Sequence, residues 1–331
     1  MCQYSAIDGV ATQWHDVHIG SFATGGTGMI MMEATGVVPE GRISTACLGL
    51  WNDAQAQRLK PIVDFAHSMG TQIGIQLAHA GRKASCLPPW SDHPMASKEE
   101  GGWDCVAPSA ISFGGKYPVP KALTKKEIQD LVTAFASSAK RAVAAGFDLV
   151  EIHSAHGYLI HQFLSPISNQ REDEYGGSFE NRTRFIIEIA RAVRSAIPNG
   201  MPLFVRISAS DWLEDGWTID ESVELCSLLK DVGVDLIDVS SGGTSSGAPV
   251  PVGPGYQVPF ATRIRNESKI PTCAVGLITE SKQADEIVKN GEADAVMMAR
   301  EFLRNPRWPL QAAKELNADV KWPNQLLRGK G

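Results

Sequence analysis

KKEIQDLVTAFASSAKRAVAAGFDLVEIH, residues 125–153, sets two periodicities back to back. Apolar residues recur at helical spacing as far as Gly146, and the short run FDLVEIH that follows is mostly apolar. The same alternation extends outward in both directions. Apolar runs lie at 28–34, 72–78, 147–153, 202–208, 234–240, 271–276 and 294–300. Bounded by turn signals, such runs read as buried parallel strands. Helix-period segments at 54–70, 178–197, 219–233 and 279–291 fall between them, several with Ser, Thr or Asp near the start or Gly at the stop. Alternation of this length predicts an α/β fold around one parallel sheet. A closed barrel needs eight strands, and seven are visible, so the missing one would come first. Either the sheet is open or its first strand lies upstream of Met1.

The 331 residues, 43% of them hydrophobic, suffice for one large domain. A formal net charge of −6 and a pI near 5.8 argue against nucleic acid or anionic membrane as partners. No stretch approaches about 18 consecutive apolar residues, so no membrane span is expected. MCQYSAIDG has no basic stretch followed by an apolar one, so no signal peptide is expected either. Six cysteines, at 2, 47, 86, 105, 226 and 273, form no C-x-x-C pair. That pattern suggests reduced thiols and a cytoplasmic location rather than a disulfide frame or an iron–sulfur site.

Residues 84–123 break the rhythm. They are rich in Pro, Gly, Ser and Trp, and loops this long are usually lids or binding caps. The third run leads into EIHSAHGYLIHQFLSP (151–166), which places His153, His156 and Tyr158 at the strand's C-terminal end. In α/β barrels catalytic side chains gather at that edge. Neutral imidazoles can donate to an oxygen that gains negative charge, and a phenol with a pKa of about 10 still holds a proton to give at pH 7. Satisfied structural histidines fit the spacing equally well. A zinc site of the H-E-x-x-H type lacks both its Glu and its i,i+4 pair, so no metal is expected. His161 reads as structural.

MCQYSAIDG, MMEATGVVPEGR, IGIQLAHAGRKAS, VEIHSAHGYLIHQFLSPISNQREDEYGGSFENRTRF, LFVRISASDW and MARE follow one another over nearly the whole chain. Together they resemble the Old Yellow Enzyme family, and within it the bacterial-type FMN-dependent ene-reductases, also called NADPH dehydrogenases. The resemblance implies a single (β/α)8 TIM-barrel domain over 1–331, with 84–123 as its lid and FMN above the C-terminal strand ends. It implies NADPH as hydride donor and an activated alkene, such as an enone, as substrate. The pair matching His153 and His156 would hold the carbonyl oxygen. Hydride would enter at the β-carbon, and Tyr158 would protonate the α-carbon.

The resemblance also implies the cofactor contacts. Ala34 would allow close approach to the flavin ring, Gln76 would pair with its pyrimidine edge, and Arg206 would lie near N1 and the C2 carbonyl. An Arg inside an apolar run supports the last assignment independently, because a buried guanidinium without an anion is costly. Gly276 and the Ala299–Arg300 pair would receive the phosphate, with Ala299 where the family more often has Gly. Residues 240–243 would border the cofactor or form a plain loop. Met1 and Cys2 would sit beside the flavin, with Cys2 at its reactive edge, and Tyr4 would donate to the substrate. WPNQLLRGKG (322–331) resembles a segment that carries an arginine into a neighbouring subunit's site. Arg328 is the matching residue, although the family's Tyr is Leu326 here, and a homodimer or homotetramer would follow.

Relatives in the family carry an additional segment ahead of MCQYS that includes the first barrel strand. This chain is therefore expected to bind FMN more weakly, and to aggregate more, than an extended version. A flavin-binding relative with little or no activity is the alternative reading. The related dienoyl-CoA reductase type is disfavoured by the absence of clustered cysteines and by the short C-terminus.

Overall fold

The computed structural model describes residues 1–330. Strands are numbered along the chain: β1 (Met29–Gly36), β2 (Gln72–Ala78), β3 (Val106–Ala107), β4 (Lys121–Ala122), β5 (Leu149–Ser154), β6 (Leu203–Ser208), β7 (Leu236–Ser240), β8 (Thr272–Ala274) and β9 (Ala295–Val296). Seven of them form one parallel sheet in the order β1-β2-β5-β6-β7-β8-β9, and each coincides with one of the seven apolar runs. The two-residue strands β3 and β4 pair with each other inside the 84–123 insertion, which is otherwise irregular. The barrel sheet is not closed. Among the strands of the described residues, β1 pairs with β2 alone and β9 with β8 alone. The eighth strand anticipated ahead of Met1 falls outside the described residues.

The helices α2 (Asp53–Ser68), α3 (Lys125–Ala145), α5 (Phe179–Ala196), α6 (Ile219–Asp231) and α8 (Ser281–Lys289) occupy the anticipated segments, and the short α4 (Leu159–Leu164) follows β5. Local chemistry sets their ends. At α3, Thr124 and Glu127 form a reciprocal capping box, and Gly146 stops the helix at φ +91°, a left-handed angle that glycine adopts without penalty. Ile128, Leu131, Phe135, Ala139 and Ala142 recur every three or four residues along α3 and are buried against α2 and α5. Fully burying Phe135 alone contributes about 1.5–3 kcal/mol. Helices α1 (Gln13–Ala23) and α7 (Val258–Ser268) were not legible in the sequence. Only His15, Ile19 and Ala23 of α1 are buried, and α7 begins behind the Pro/Gly-rich stretch 248–257.

Strand register lines up the side chains that matter. His153 on β5 pairs with Arg206 on β6, Arg206 with Asp238 on β7, and Asp238 with Cys273 on β8. Towards the other edge, Ala34 on β1 pairs with Gln76 on β2, and Gln76 with Glu151 on β5. Residues paired across parallel strands share a face, and residues two apart on one strand share it too, which brings Glu151 and His153 to one side. No helix among the described residues is long and apolar enough to cross a membrane.

Candidate active site

The loops after β5 and β7 are locked together by two glycines. A Cβ on Gly157 (φ +69°) would lie 2.0 Å from the Gly243 carbonyl oxygen, and one on Gly243 (φ +97°) would lie 2.5 Å from the His156 carbonyl carbon. Neither position has room for a side chain. His156 itself sits at φ +59°, a strained region for a non-glycine residue, and its placement needs support. Its N–H donates to Ser208 Oγ (2.8 Å), and Lys83 Nζ donates to both the His156 and the Gly243 carbonyl oxygens (2.9 and 3.0 Å). Lys83 therefore staples the two loops. Nothing in the sequence singled it out, although it closes the HAGRK stretch.

Held in this way, three rings converge. The His153 and His156 centroids are 5.1 Å apart, His153 and Tyr158 5.2 Å, and His156 and Tyr158 6.5 Å, each pair nearly perpendicular. All three line a cavity of about 810 Å³ whose wall also includes Met29–Ala34 of β1 and Ala295–Val296 of β9. Burial, reinforced by Arg206, holds both imidazoles well below the ordinary histidine range, so they are neutral at physiological pH. Burial also raises the Tyr158 hydroxyl well above its ordinary value, with Cys2 and Tyr4 adding to the effect, so the phenol stays protonated.

Hydrogen bonds assign the tautomers. His153 Nδ1 accepts from Ala155 N (3.3 Å), which leaves the proton on Nε2. His156 Nε2 lies 2.8 Å from Ser240 Oγ. The alternative acceptor for that hydroxyl, Gln257 Oε1, is farther at 3.3 Å and already receives Ser241 Oγ at 2.6 Å. With the Ser240 proton on the shorter of its two contacts, His156 accepts at Nε2 and carries its own proton on Nδ1. Each imidazole keeps one N–H for a ligand. Ser240, expected to border the cofactor or lie in a plain loop, instead orients a histidine. Ser240→Ala frees the His156 tautomer and is expected to weaken binding of a phenolate such as 4-nitrophenol by about tenfold, the scale of one such hydrogen bond. Titration of the flavin-loaded protein would measure it, and unchanged affinity would refute the assignment.

Lys83 adds a pH dependence. Burial, together with neighbouring Arg82, lowers its ammonium to about 8. The ammonium lies 5.1 Å from the Tyr158 ring centroid, a cation–π distance. Because the lowered group is charged below its pKa and neutral above it, the staple is at full strength at neutral pH and weakens as pH rises through about 8. Ligand binding at the histidine pair is expected to fall on that alkaline limb. Lys83→Met should bind more weakly throughout and lack the limb, and a limb that persists in the variant would exclude Lys83 as its source.

The cavity floor is ionic. Arg206 Nε lies 3.1 Å from Asp238 Oδ2, off the direction of its N–H bond, so the contact is electrostatic rather than a directed hydrogen bond. Gln76 Nε2 donates to Glu151 Oε1 (2.6 Å), which fixes the amide and leaves its oxygen available. Asp238 and Glu151 are both fully buried, with one guanidinium between them. Burial and then the Asp238 charge push Glu151 up to about 8, against the opposing pull of Arg206 and Gln76, and burial raises Asp238 too, against the pull of Arg206. Two carboxylates facing one cation cannot both be ionised cheaply, so Glu151 keeps a proton at neutral pH. Neither acid was identified from the sequence.

Met1, Cys2, Tyr4, Ala34, Gln76, Arg206 and Ala299 line the same cavity as the three rings. Other anticipated residues are elsewhere. Gly276 (φ +125°) backs onto Gln257 and Tyr256, Arg300 is exposed at the start of the five-residue helix Arg300–Arg304, and Arg328 is exposed in the turn Asn324–Gly329. None of the three lines the cavity. From the insertion, Pro89 reaches the cavity wall, and Trp90 packs edge-on against Tyr4 with centroids 5.6 Å apart. Trp103 instead donates to the Glu40 carbonyl oxygen and stacks on Arg42. His161 is buried against Asp211 (3.1 Å), consistent with a structural role.

A flat, electron-accepting ring system fits this cavity. Ala34 leaves space, Gln76 offers an amide edge that can pair with a pyrimidine, and Arg206 supplies positive charge where a reduced ring would turn anionic. A parallel α/β barrel frame with such a floor beneath two neutral imidazoles and a phenol defines a flavin-dependent oxidoreductase. Comparison with known proteins agrees. Residues 1–319 match the NADH:flavin oxidoreductase / NADH oxidase family, and the chain belongs to that family. It is 50% identical to an NADPH dehydrogenase of Geobacillus thermodenitrificans, over 99% of this chain and 92% of the relative. It is 47% identical to an NADH:flavin oxidoreductase of Gibberella zeae, over 100% of this chain and 85% of the relative. Among solved structures, morphinone reductase in complex with tetrahydroNAD superimposes with a TM-score of 0.78 at 28% identity, covering 98% of this chain and 87% of that one. A 2-naphthoyl-CoA reductase superimposes with a TM-score of 0.87 at 25% identity, covering 95% of this chain and 49% of that one.

Proposed function

We propose that the chain is an FMN-dependent ene-reductase that draws on NADPH and reduces an activated alkene, an α,β-unsaturated ketone or aldehyde. The observation that carries this reading is the convergence of two neutral N–H donors and one protonated phenol on a single cavity. FMN supplies hydride transfer when bound. The protein's part is to polarise and to protonate. His153 Nε2–H and His156 Nδ1–H receive the substrate oxygen, and their hydrogen bonds strengthen as charge moves onto it, which is differential binding of an enolate-like transition state. Tyr158 holds its proton for the α-carbon. Arg206 and Gln76 hold the flavin ring, and Cys2, Met1, Ala34 and Ala299 shape its surroundings.

Tyr4 lies on the substrate side, with Trp90 packed against it as part of the lid. Gly276 and Arg300 are assigned the phosphate end, which requires the Arg300 side chain to turn inward. Arg328, exposed in one copy, is assigned to a neighbouring copy's cavity in a homodimer or homotetramer. NADPH as the donor rests on the names of the relatives. The alternative, a flavin-binding protein with little activity, draws on the sheet's opening between β1 and β9, where Met29–Met31 and Ala295–Met297 line the same cavity. One anaerobic experiment separates the two. Protein loaded with FMN should lose its visible flavin band on adding NADPH and recover it on adding cyclohexenone. Protein that stays colourless after FMN is supplied, or that bleaches and is not restored by the enone, would defeat the proposal.

A further inference from the structure

Cys47 is fully buried in the segment after β1 and takes no part in the cavity wall, whereas Cys2 does. Their sulfurs and a Glu33 carboxylate oxygen all lie within 4.8 Å of one another. The surrounding backbone holds this contact in place. Gln3 N donates to Glu33 Oε2 (3.0 Å) and Ala6 N to the Ala46 carbonyl oxygen (2.9 Å), so the first residues are tied both to β1 and to the Cys47 segment. Ser44 Oγ approaches Cys47 Sγ at 3.2 Å.

We propose that Cys2 and Cys47 are a redox-active dithiol that closes to an intramolecular disulfide at the rim of the cofactor cavity. The close approach of the two thiols lowers Cys47 below the ordinary thiol value and raises Cys2 well above it; Ser44 assists the first shift, while burial and the neighbouring Glu33 carboxylate oppose it. Thiolate character therefore rests on Cys47, and Cys2 holds the shared proton. Hydrogen peroxide is a sufficient oxidant and small enough to enter past Cys2. The Cys47 thiolate attacks one peroxide oxygen, the O–O bond breaks, and a sulfenic acid and hydroxide result. The Cys2 sulfur then attacks the sulfenic sulfur, the S–S bond forms, and the S–O bond breaks. The departing hydroxide takes up the thiol proton as water. In sum, two thiols and one peroxide give one disulfide and two waters.

A disulfide bond is about 2.05 Å long, so closure draws the Cys2 sulfur towards Cys47 and off the cavity wall. It also ties the segment carrying Tyr4 to β1. The effect on the flavin rests on the functional reading above, but the bond itself does not. Cys105, Cys226 and Cys273 are buried without such a thiol partner, and Cys86 contacts the Tyr117 hydroxyl.

The test treats the FMN-loaded full chain with hydrogen peroxide, then alkylates, unfolds and digests it. Two of the six thiols should disappear, a cross-linked Cys2–Cys47 peptide should form, and dithiothreitol should restore both thiols. The flavin visible band should shift on oxidation in the parent and not in Cys47→Ser. In Cys47→Ser and in Cys2→Ser no cross-link should form; in Cys2→Ser, Cys47 should stop at a sulfenic acid trapped by dimedone, and in Cys47→Ser, Cys2 should stay a thiol. Peptide mapping does not require flavin, so a cross-link found in colourless protein would support the dithiol while sinking the ene-reductase reading. Survival of all six thiols, or a cross-link that joins other cysteines, would overturn the proposal.

Discussion

Tyr158→Phe is expected to slow enone reduction by about 10²–10⁴-fold, the usual range for a positioned general acid, while NADPH still bleaches the flavin at the parental rate. The asymmetry is the informative part. Only the alkene half of the cycle needs a proton delivered to carbon, and Tyr158 is the protonated group whose ring packs against both imidazoles. Removing the hydroxyl leaves ring packing intact, because the ring makes edge contacts with both histidines that do not involve the oxygen. Stopped-flow measurement of each half-reaction under anaerobic conditions would read the two rates separately. Parental enone reduction by Tyr158→Phe would mean that water or another residue protonates the product. Slowing of both halves together would mean that the phenol supports the cavity's shape.

Arg206→Leu is expected to have the second large effect, and it acts in two ways that can be separated. The guanidinium is the cation beside two buried carboxylates, so its loss leaves Asp238 without a counter-charge and should destabilise the fold by about 3–5 kcal/mol. It also removes the positive charge available to the flavin, which should weaken FMN binding by about 10- to 100-fold, the scale of a charge-assisted hydrogen bond. Adding Asp238→Leu removes the orphaned carboxylate and should restore most of the stability, since a buried ion pair can often be replaced by apolar groups at little cost. FMN affinity should stay low in the double variant. Urea midpoints and flavin content would test this. Recovery of both in the double variant would show that Arg206 serves only to neutralise Asp238.

Much of the architecture is legible in the sequence. Each of the seven strands sits on an apolar run, because a parallel strand covered by helices is buried on both faces and must be apolar on both. Helix α3 was legible because Ile128, Leu131, Phe135 and Ala139 repeat at the period of a helix that packs one stripe inward. Helix α1 was not, since only three of its residues are buried and it rests partly on Arg58, which pairs with Asp16 and with the Thr12 carbonyl oxygen. Such contacts leave no periodic trace.

The sequence by itself determined which residues could do chemistry: His153, His156 and Tyr158 at the end of one strand, and Arg206 within an apolar run. Residue type and strand position are local properties, readable wherever they occur. Tertiary structure alone decided what those residues become. Arg206 meets Asp238 and Glu151 only through the register of three neighbouring strands, and Lys83 and Ser240 reach His156 only because two glycines let separate loops touch. Cys2 and Cys47 likewise become one site through backbone bonds between distant segments. Protonation and tautomer depend on burial and on neighbours brought from elsewhere in the chain, and no linear pattern encodes those.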